Sequence, residues 1–490
     1  MKDLPLTYCN PLPIPCLPRG KDDWYRVETE MFSHENKPDF VTGPDYRSIS
    51  DPTVFFHDGK WYLYPSYGMA WVSEDFVHWE HHRTEPYCPL YSPHVVPWKG
   101  RYLLVAWNCP LYVADDPLGP FIKLGDFILP DGSAYRPCDP GLFADDDGKL
   151  YLYAHCSDPI DGYDAGRCTY IIGWQMDEDD PRRLVGERHV IVKMDTAHHI
   201  WERNGHHHQD VTFGWIEGPH LLKHNGRYYM IYASPDTRTP GYGLGVYYSD
   251  ESPLTGFICQ KNNPLTVNRA GLVGGAGHGC VEHGPDGSLW VFYTIAVPIS
   301  HKYERRIGMD RVIVNEDGEL VCPYGITDTP QYAPGTDEAA AGKQPDLLPL
   351  NSWWHPTVSS CAPGRDAIYA VDESPLTWWQ PADEDSAPWL CCDLEGDYNV
   401  SAVRIFWRDV GLDYTAGAIP GPFRYRVEGC TDGAWYILVD RQDSAEDLDI
   451  DYRTFAPQHC RRVRLVITGV PHGLRPGVIA FTVFGKHVLA

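Results

Sequence analysis

The chain has 490 residues, enough for two or three domains with a large hydrophobic core. Its formal net charge of −26 argues against nucleic acid and anionic membrane surfaces as partners. It contains no run of about 18 apolar residues that would span a membrane.

The cysteine content and the N-terminus lead to an expectation about the cellular compartment. The 15 cysteines are an odd number without C-x-x-C spacing, which is typical of reduced thiols. No early window resembles a signal peptide, because residues 1–40 form a Pro-rich segment without an apolar core. We therefore expect a cytoplasmic protein, unless a signal has been removed, with residues 1–40 packed against the next domain.

Residues 41–325 repeat one strand–turn–strand pattern five times. The first copy turns at Asp58-Gly59, a dipeptide that favours a hairpin because glycine accepts the positive φ that the turn requires. The turn glycines of the five copies are separated by 41, 48, 78 and 61 residues. A propeller blade of four strands needs about 40–50 residues, so the pattern predicts a five-bladed, all-β propeller with two insertions.

Polar residues open the first strand of each copy. Counting back eight or nine residues from the turn glycine reaches Asp51, Ser92, Asp139, Glu217 and His278. Radial repetition brings equivalent strand ends together around a central channel, so three carboxyls and an imidazole should face one another there. The alternative for any single copy is that an Asp-Pro pair only begins a turn.

The remaining chain, 326–490, divides into a linker and a second domain. Residues 326–348 are rich in Pro, Gly and Ala without periodic apolar residues, which marks a boundary. Residues 349–490 contain five alternating strands and predict a jelly-roll β-sandwich. This region resembles the discoidin-like, galactose-binding-like modules that are often attached to glycosidases. Both sugar binding and a bracing role are compatible with it.

Four strand starts carry a resemblance to a known family. They are Ser50-Asp51-Pro52, Cys138-Asp139-Pro140-Gly141-Leu142-Phe143, Ile216-Glu217-Gly218-Pro219-His220 and Gly277-His278-Gly279. In this order they resemble the motifs of glycoside hydrolase family 43. The resemblance implies a five-bladed propeller that cleaves plant-wall glycosides with inversion.

The resemblance also implies roles for the three acids. Asp51 matches the general base, Glu217 the general acid, and Asp139 the third acid, which raises the pKa of the general acid and orients it. Inversion requires the base and the acid to stand about 6.5–9.5 Å apart, which leaves room for the attacking water.

Further residues are predicted to line the pocket. Aromatic rings form platforms for sugars, so we predict Trp71, Trp107, Trp215 and His155 as substrate-binding residues. Of three arginines after the fifth copy, Arg305, Arg306 and Arg311, one is expected to reach the substrate, and Arg306 is our candidate. His278 matches a position that often holds calcium through waters. We expect no required cofactor, and a structural Ca²⁺ near His278 as the one possible ion.

The sequence thus predicts an inverting, exo-acting glycosidase that acts on an oligosaccharide. The terminal sugar is expected to be α-L-arabinofuranosyl or β-D-xylosyl, with galactosyl as a further option. The alternative is a non-catalytic carbohydrate-binding propeller with an accessory sandwich. A panel of aryl glycosides distinguishes the two, because a binding protein turns over none of them.

Overall fold

The computed structural model describes residues 5–15, 47–66, 70–82, 90–158, 169–413, 416–418 and 420–488. Within these ranges the helices are one α-helical turn, Asp337–Ala340, and the 3-10 turns Ile200–Glu202, Gly271–Val273 and Ala367–Ala370. None of the described helices has the length and apolar character needed to cross a bilayer. Regular structure is otherwise β-strand, which confirms the predicted fold class.

Five separate antiparallel sheets form the blades of the propeller, each around one of the five predicted hairpins. Blade 1 contains Thr53–His57, Lys60–Tyr64, Ala70–Ser73 and Glu80–His82. Blade 2 contains His94–Trp98, Arg101–Val105, Leu111–Ala114 and Ile122–Gly125. Blade 3 contains Cys138–Ala144, Leu150–Cys156, Tyr170–Met176 and Leu184–Lys193. Blade 4 contains Glu217–His224, Arg227–Ser234, Gly243–Ser249, Ile258–Cys259 and Thr266–Val267. Blade 5 contains Cys280–His283, Leu289–Ala296, Arg305–Val314 and Leu320–Val321.

Three two-stranded sheets are separate from the blades among the described residues. They are Phe127–Ile128 with Ala134–Tyr135, Arg203–Asn204 with Asp210–Gly214, and Thr7–Tyr8 with Gln331–Tyr332. The last pair joins the N-terminal segment to the chain that follows blade 5.

The hairpin turns follow the local chemistry of the sequence. All five turn glycines have φ between +75° and +86°, and a Cβ placed on any of them would meet no atom within 4 Å. Glycine is therefore needed there for its backbone freedom and not for lack of space. In three of the turns the residue before the glycine also has positive φ, as type I′ turns require.

Two buried histidines connect four blades across the centre of the propeller. His94 Nδ1 accepts from the Leu142 N–H at 3.2 Å, so the His94 proton lies on Nε2, which is 3.3 Å from His220 Nδ1. His220 Nε2 then donates to the Val281 carbonyl at 3.2 Å. Burial lowers the pKa of both rings, and their mutual repulsion lowers the pKa of His94 further. Both imidazoles are neutral in this chain of hydrogen bonds.

This histidine pair should make folding stability depend on pH. In the unfolded chain each ring titrates near a pKa of about 6.5, above its folded value, so unfolding takes up protons below that pH. The stabilisation is complete above about pH 6.5 and is lost as pH falls below it. His94→Asn, which keeps an acceptor and a donor, should reduce the fall in Tm between neutral and mildly acidic pH. His472→Asn, at an exposed position, is the control, and equal pH dependence in all three proteins would contradict the assignment.

The C-terminal domain is a β-sandwich built from one folded sheet. Its strands are Leu348–Pro349, Thr357–Val358, Trp389–Val410, Arg424–Cys430, Trp435–Asp440, Ile450–Gly469 and Arg475–His487. Two of them are long enough to serve both layers. In the 22-residue strand, 389–393 and 398–406 pair with different parts of the 20-residue strand, and the register shifts between them. Their apolar sides enclose a core that includes Trp407, Val427 and Phe481.

The sandwich is joined to the propeller through buried contacts. Phe406, Ile450 and Ile479 extend the apolar core of blades 4 and 5. Residues 5–15 of the Pro-rich segment pack on both domains. The Asn10 carbonyl accepts from Arg404 of the sandwich at 2.6 Å. The Asn10 side chain donates to the Met309 carbonyl of blade 5 at 2.8 Å. The rest of the Pro-rich segment, residues 1–4 and 16–40, lies outside the described residues.

Candidate active site

Left-handed backbone marks the start of each inner strand. Asp51, Ser92, Asp139 and His278 have φ of 51°, 48°, 42° and 33°, a conformation that side chains other than glycine seldom adopt. Such strained residues concentrate at functional sites. In the fourth copy the left-handed residue is Gly218, with φ of 58°. Glu217 therefore precedes the left-handed position by one residue, close to the place that spacing predicts for it.

The glycine in the fourth copy has a steric reason. A Cβ on Gly218 would lie 2.8 Å from the His278 ring, so this copy cannot carry a side chain at the left-handed position. The carboxylate comes instead from the preceding residue, Glu217.

Asp51 is buried and surrounded by donors. Its Oδ1 accepts from Arg305 at 2.9 Å, and its Oδ2 accepts from the hydroxyls of Ser50 at 2.9 Å and Ser66 at 2.5 Å. Burial by itself raises the pKa of Asp51, but the guanidinium of Arg305, then His278 at 3.4 Å and the two hydroxyls, bring it below the usual value. Asp51 is consequently an ionised carboxylate at neutral pH.

Arg305, and not Arg306, is the arginine of the site. Consecutive residues of a strand point to opposite faces, so only one of the two can face the channel. Arg305 contacts Asp51 and lies 3.3 Å from the Tyr91 hydroxyl. Arg306 points to the sandwich, where its Nε donates to Asp449. The prediction of Arg306 as a substrate ligand is wrong for this reason, and Arg311 donates to the Ala339 carbonyl elsewhere.

Asp139 and Glu217 form a close pair of carboxyls beside His278. Ligand atoms of these three residues all lie within 4.8 Å of one another. Burial, the charges of Glu217 and Asp51, and a hydrogen bond with Glu217 raise the pKa of Asp139 well above its usual range. The pair therefore retains a proton at pH values where an isolated aspartic acid is ionised. Glu217 is only partly buried, which opens this side of the cluster to solvent.

Glu217 is oriented by two aromatic residues. Trp215 Nε1 donates to Glu217 Oε2 at 2.6 Å, and the Tyr242 hydroxyl donates to Oε1 at 2.5 Å. The His155 ring stacks on Trp215 at 4.3 Å, and its Nδ1 donates to the Ile216 carbonyl at 2.7 Å. Trp215 is half-buried beside the acid, whereas His155 is buried and packs against one face of the Trp215 ring.

The two other predicted tryptophans differ in position. Trp107 is half-buried and donates to Cys138 Sγ at 3.1 Å, next to Asp139 in the chain. Trp71 is 2% exposed, and its indole donates to the Pro15 carbonyl within the apolar core between blades 1 and 5. The prediction of Trp71 as a sugar platform is wrong, because this ring fills the core.

His278 does not offer the donors that a directly bound calcium ion requires. Its Nδ1 lies 3.4 Å from Asp51 and its Nε2 lies 3.1 Å from Ser92 Oγ, so each ring nitrogen already has a protein neighbour. Calcium prefers six to eight oxygen ligands, whereas this cluster offers one imidazole and two carboxyls, and burial raises the pKa of Asp139. A water-bridged ion beside His278 stays a prediction, and no chemical step is assigned to it.

Comparison with known proteins identifies the family. Residues 35–320, more than half of the chain, match the sequence profile of "Glycosyl hydrolases family 43". The chain belongs to glycoside hydrolase family 43. Residues 369–465 match the profile of a NedA-like, galactose-binding domain, in agreement with the discoidin-like prediction for the C-terminal domain.

Relatives of this family 43 chain carry several substrate names. It is 24% identical over 322 residues to Beta-D-galactofuranosidase xynD of Aspergillus niger, which covers 57% of this chain and 83% of the relative. It is 24% identical to a Beta-xylosidase of Xylanibacter ruminicola, over 43% of this chain and 78% of the relative. A crystal structure of a thermostable family-43 glycoside hydrolase is 26% identical, with a TM-score of 0.49, over 59% of this chain and 97% of that one.

Several residues of the family 43 site were not predicted. Ser66 contacts Asp51 and also accepts from the Ser92 N–H at 2.8 Å, which joins the first two blades. Tyr242 immediately precedes the third strand of blade 4, outside the repeated hairpins, so no repeat spacing indicated it. For Ser66 a signal was available, since it follows the second strand of copy one, where the chain returns to the channel.

Proposed function

We propose that this family 43 enzyme is an inverting, exo-acting glycosidase that releases a terminal arabinofuranosyl, xylosyl or galactosyl residue from an oligosaccharide. One observation carries the proposal. Asp51 is held ionised by Arg305, while the Asp139–Glu217 pair holds a proton beside it. Inversion needs such a base and such an acid at the same time.

Asp51 is proposed as the general base. It removes a proton from the water that attacks the anomeric carbon, and Arg305, Ser50 and Ser66 fix its orientation. These donors favour the carboxylate over the acid, so the base is ready before substrate binds. The three contacts also prevent the carboxylate from rotating away from the water.

Glu217 is proposed as the general acid that protonates the leaving oxygen. Trp215 Nε1 is a donor only, so Glu217 Oε2 must accept, and the transferable proton belongs on Oε1 or on Asp139. The Tyr242 hydroxyl at Oε1 can accept from a protonated Glu217 as readily as it donates to the carboxylate. We propose that Asp139 stores the proton and supplies it to Glu217 when the substrate excludes water.

The choice of sugar rests on the relatives, whose names include a β-xylosidase and a β-D-galactofuranosidase. A panel of nitrophenyl glycosides with arabinofuranosyl, xylosyl, galactofuranosyl and galactopyranosyl groups tests it. Turnover of one or two members supports the proposal. Failure to turn over any member, by a folded protein, would contradict the exo-glycosidase assignment.

Glu217→Ala should distinguish leaving groups. Loss of a general acid costs about 10²–10⁴-fold when the departing alkoxide needs a proton. A dinitrophenolate departs without one, so kcat on the dinitrophenyl glycoside should fall far less than kcat on the natural oligosaccharide. Steady-state kinetics on both substrates checks this. Glu251→Ala, at an exposed turn of the same blade, is the control, and equal losses on the two substrates would remove Glu217 from the acid role.

A further inference from the structure

A second cluster of reactive side chains lies at the outer edge of blade 4. Cys259 ends the edge strand Ile258–Cys259, and its Sγ is 3.6 Å from His199 Nε2. The other ring nitrogen of His199 is 3.3 Å from Glu202 Oε1. A thiol, an imidazole and a carboxylate therefore lie in series, apart from the channel acids.

Glu202 is buried and firmly held. It is 0% exposed, and it accepts from the Tyr232 hydroxyl at 2.5 Å and from the Asp195 N–H at 2.6 Å. A buried carboxylate needs a cation, and His199 is the basic group that contacts it among the described residues. Hydrogen bonds to Cys259 and Glu202 raise the pKa of His199 to about 10. The charge of Glu202 thus favours the protonated imidazole, whose Nε2 lies 3.6 Å from the sulfur.

The sulfur of Cys259 receives more than one donor. Asn263 Nδ2 lies 3.2 Å from Sγ, and the Tyr247 hydroxyl also bonds to Cys259. The thiol in turn can donate to the Gln260 carbonyl at 3.5 Å.

The cluster opens on a cavity of about 730 Å³. The cavity wall combines apolar and cationic side chains. Ile200 and Val267 are 60% and 39% exposed, and Lys261 and Arg269 supply positive charge. This lining suits a small anionic molecule with an apolar body, and Cys259 lies in the same wall.

We propose that Cys259 is a thiol-modification site, activated by His199 and Glu202, that takes small anionic disulfides from the adjacent cavity. The Cys259 thiolate attacks one sulfur of the incoming disulfide, a new S–S bond forms and the old S–S bond breaks. The departing thiolate takes the electron pair of the broken bond and is protonated by the His199 imidazolium. The incoming disulfide is the oxidant, and the product is a mixed disulfide on Cys259.

Dithiobis-nitrobenzoate, a dianionic aryl disulfide, is the probe. The intact protein is treated with a limiting amount at about pH 6.5, where an ordinary thiol with pKa of about 8.5 is only about 1% thiolate. Peptide mapping by mass spectrometry then compares Cys259 with Cys361, an exposed cysteine that serves as an internal reference. We expect Cys259 to react at least about tenfold faster than Cys361. A rate equal to or below that of Cys361 would overturn the proposal.

Two variants separate activation from simple exposure. His199→Gln keeps a hydrogen-bond donor but removes the charge, and it should slow Cys259 about tenfold while leaving Cys361 unchanged. His198→Gln, at the exposed neighbouring imidazole that contacts Asp195, should leave both rates unchanged. An unaltered Cys259 rate in His199→Gln would contradict the proposal. If His199→Gln fails to fold, the pH dependence of the Cys259 rate in the parent protein tests the proposal. An activated thiol reacts at a nearly constant rate from about pH 6 to 8, whereas the rate of an ordinary thiol rises throughout this range.

Discussion

Asp51→Asn is expected to lower kcat by about 10²–10⁴-fold on every substrate, whatever its leaving group. The amide cannot remove a proton from water. Every substrate needs an activated water, so a good leaving group does not compensate for the loss of the base. This uniform loss differs from the leaving-group-dependent loss expected for Glu217→Ala. Kinetics on the dinitrophenyl and natural substrates measures both patterns in one experiment.

Stability must be followed alongside this variant, because Asp51 also neutralises the buried Arg305. Thermal unfolding and circular dichroism establish that the comparison is made between folded proteins. Asp58→Asn, at the exposed turn of the same blade, makes the same chemical change away from the channel and should leave kcat unchanged. A folded Asp51→Asn protein with kcat within threefold of the parent would end the assignment of Asp51 as base.

Asp449→Ala is expected to destabilise the whole protein by about 3–5 kcal/mol, as breaking a buried ion pair from one side does. Asp449 and Arg306 are both nearly inaccessible, and Asp449 belongs to the sandwich while Arg306 belongs to blade 5. Arg306 Nη1 also donates to the Arg47 carbonyl at 2.8 Å, and Arg47 is paired with Asp409 of the sandwich at 2.6 Å. Urea-induced unfolding of the full chain measures the loss.

The same variant should reduce activity, because the interface adjoins the base. Residues 47–50 lead into Asp51, and the Ile49 N–H donates to the Arg305 carbonyl at 3.1 Å. A double variant, Arg306→Met with Asp449→Leu, replaces the pair by apolar groups and should recover most of the stability. Asp397→Ala, which breaks an exposed ion pair with Arg461, is the control and should leave the unfolding midpoint unchanged. A stable and fully active Asp449→Ala protein would contradict a bracing role for the sandwich.

The architecture was accessible from sequence because local chemistry repeats in it. Each turn glycine needs a positive φ, and that requirement recurs at nearly constant offset from a polar strand start. Five such signals, with two of the four intervals blade-sized and two lengthened by insertions, outweigh the ambiguity of any one hairpin. The same reasoning brought Asp51, Asp139 and His278 to one end of the channel.

The exact placement of individual site residues depends on three-dimensional geometry that the spacing of residues in the sequence does not determine. Glu217 and Gly218 differ by one residue, and only the clash of a Cβ with His278 explains why the glycine takes the left-handed position. Likewise, the alternation of side chains along a strand places Arg305 and Arg306 on opposite faces of the sheet. The sequence does not indicate which face lies toward the channel. The sequence did not distinguish a core role of Trp71 from a sugar-binding role, because a buried tryptophan and a pocket tryptophan give the same local pattern.

The stereochemistry of hydrolysis tests the central claim most directly. Proton NMR, recorded in the first minutes after enzyme is added to a glycoside that it turns over, identifies the anomer that is released before mutarotation. An ionised Asp51 acting with a protonated Asp139–Glu217 pair predicts that the released sugar has the anomeric configuration opposite to that of the substrate. Release of the sugar with the configuration of the substrate would mean a covalent intermediate on a carboxylate, and it would contradict the account given for all three acids.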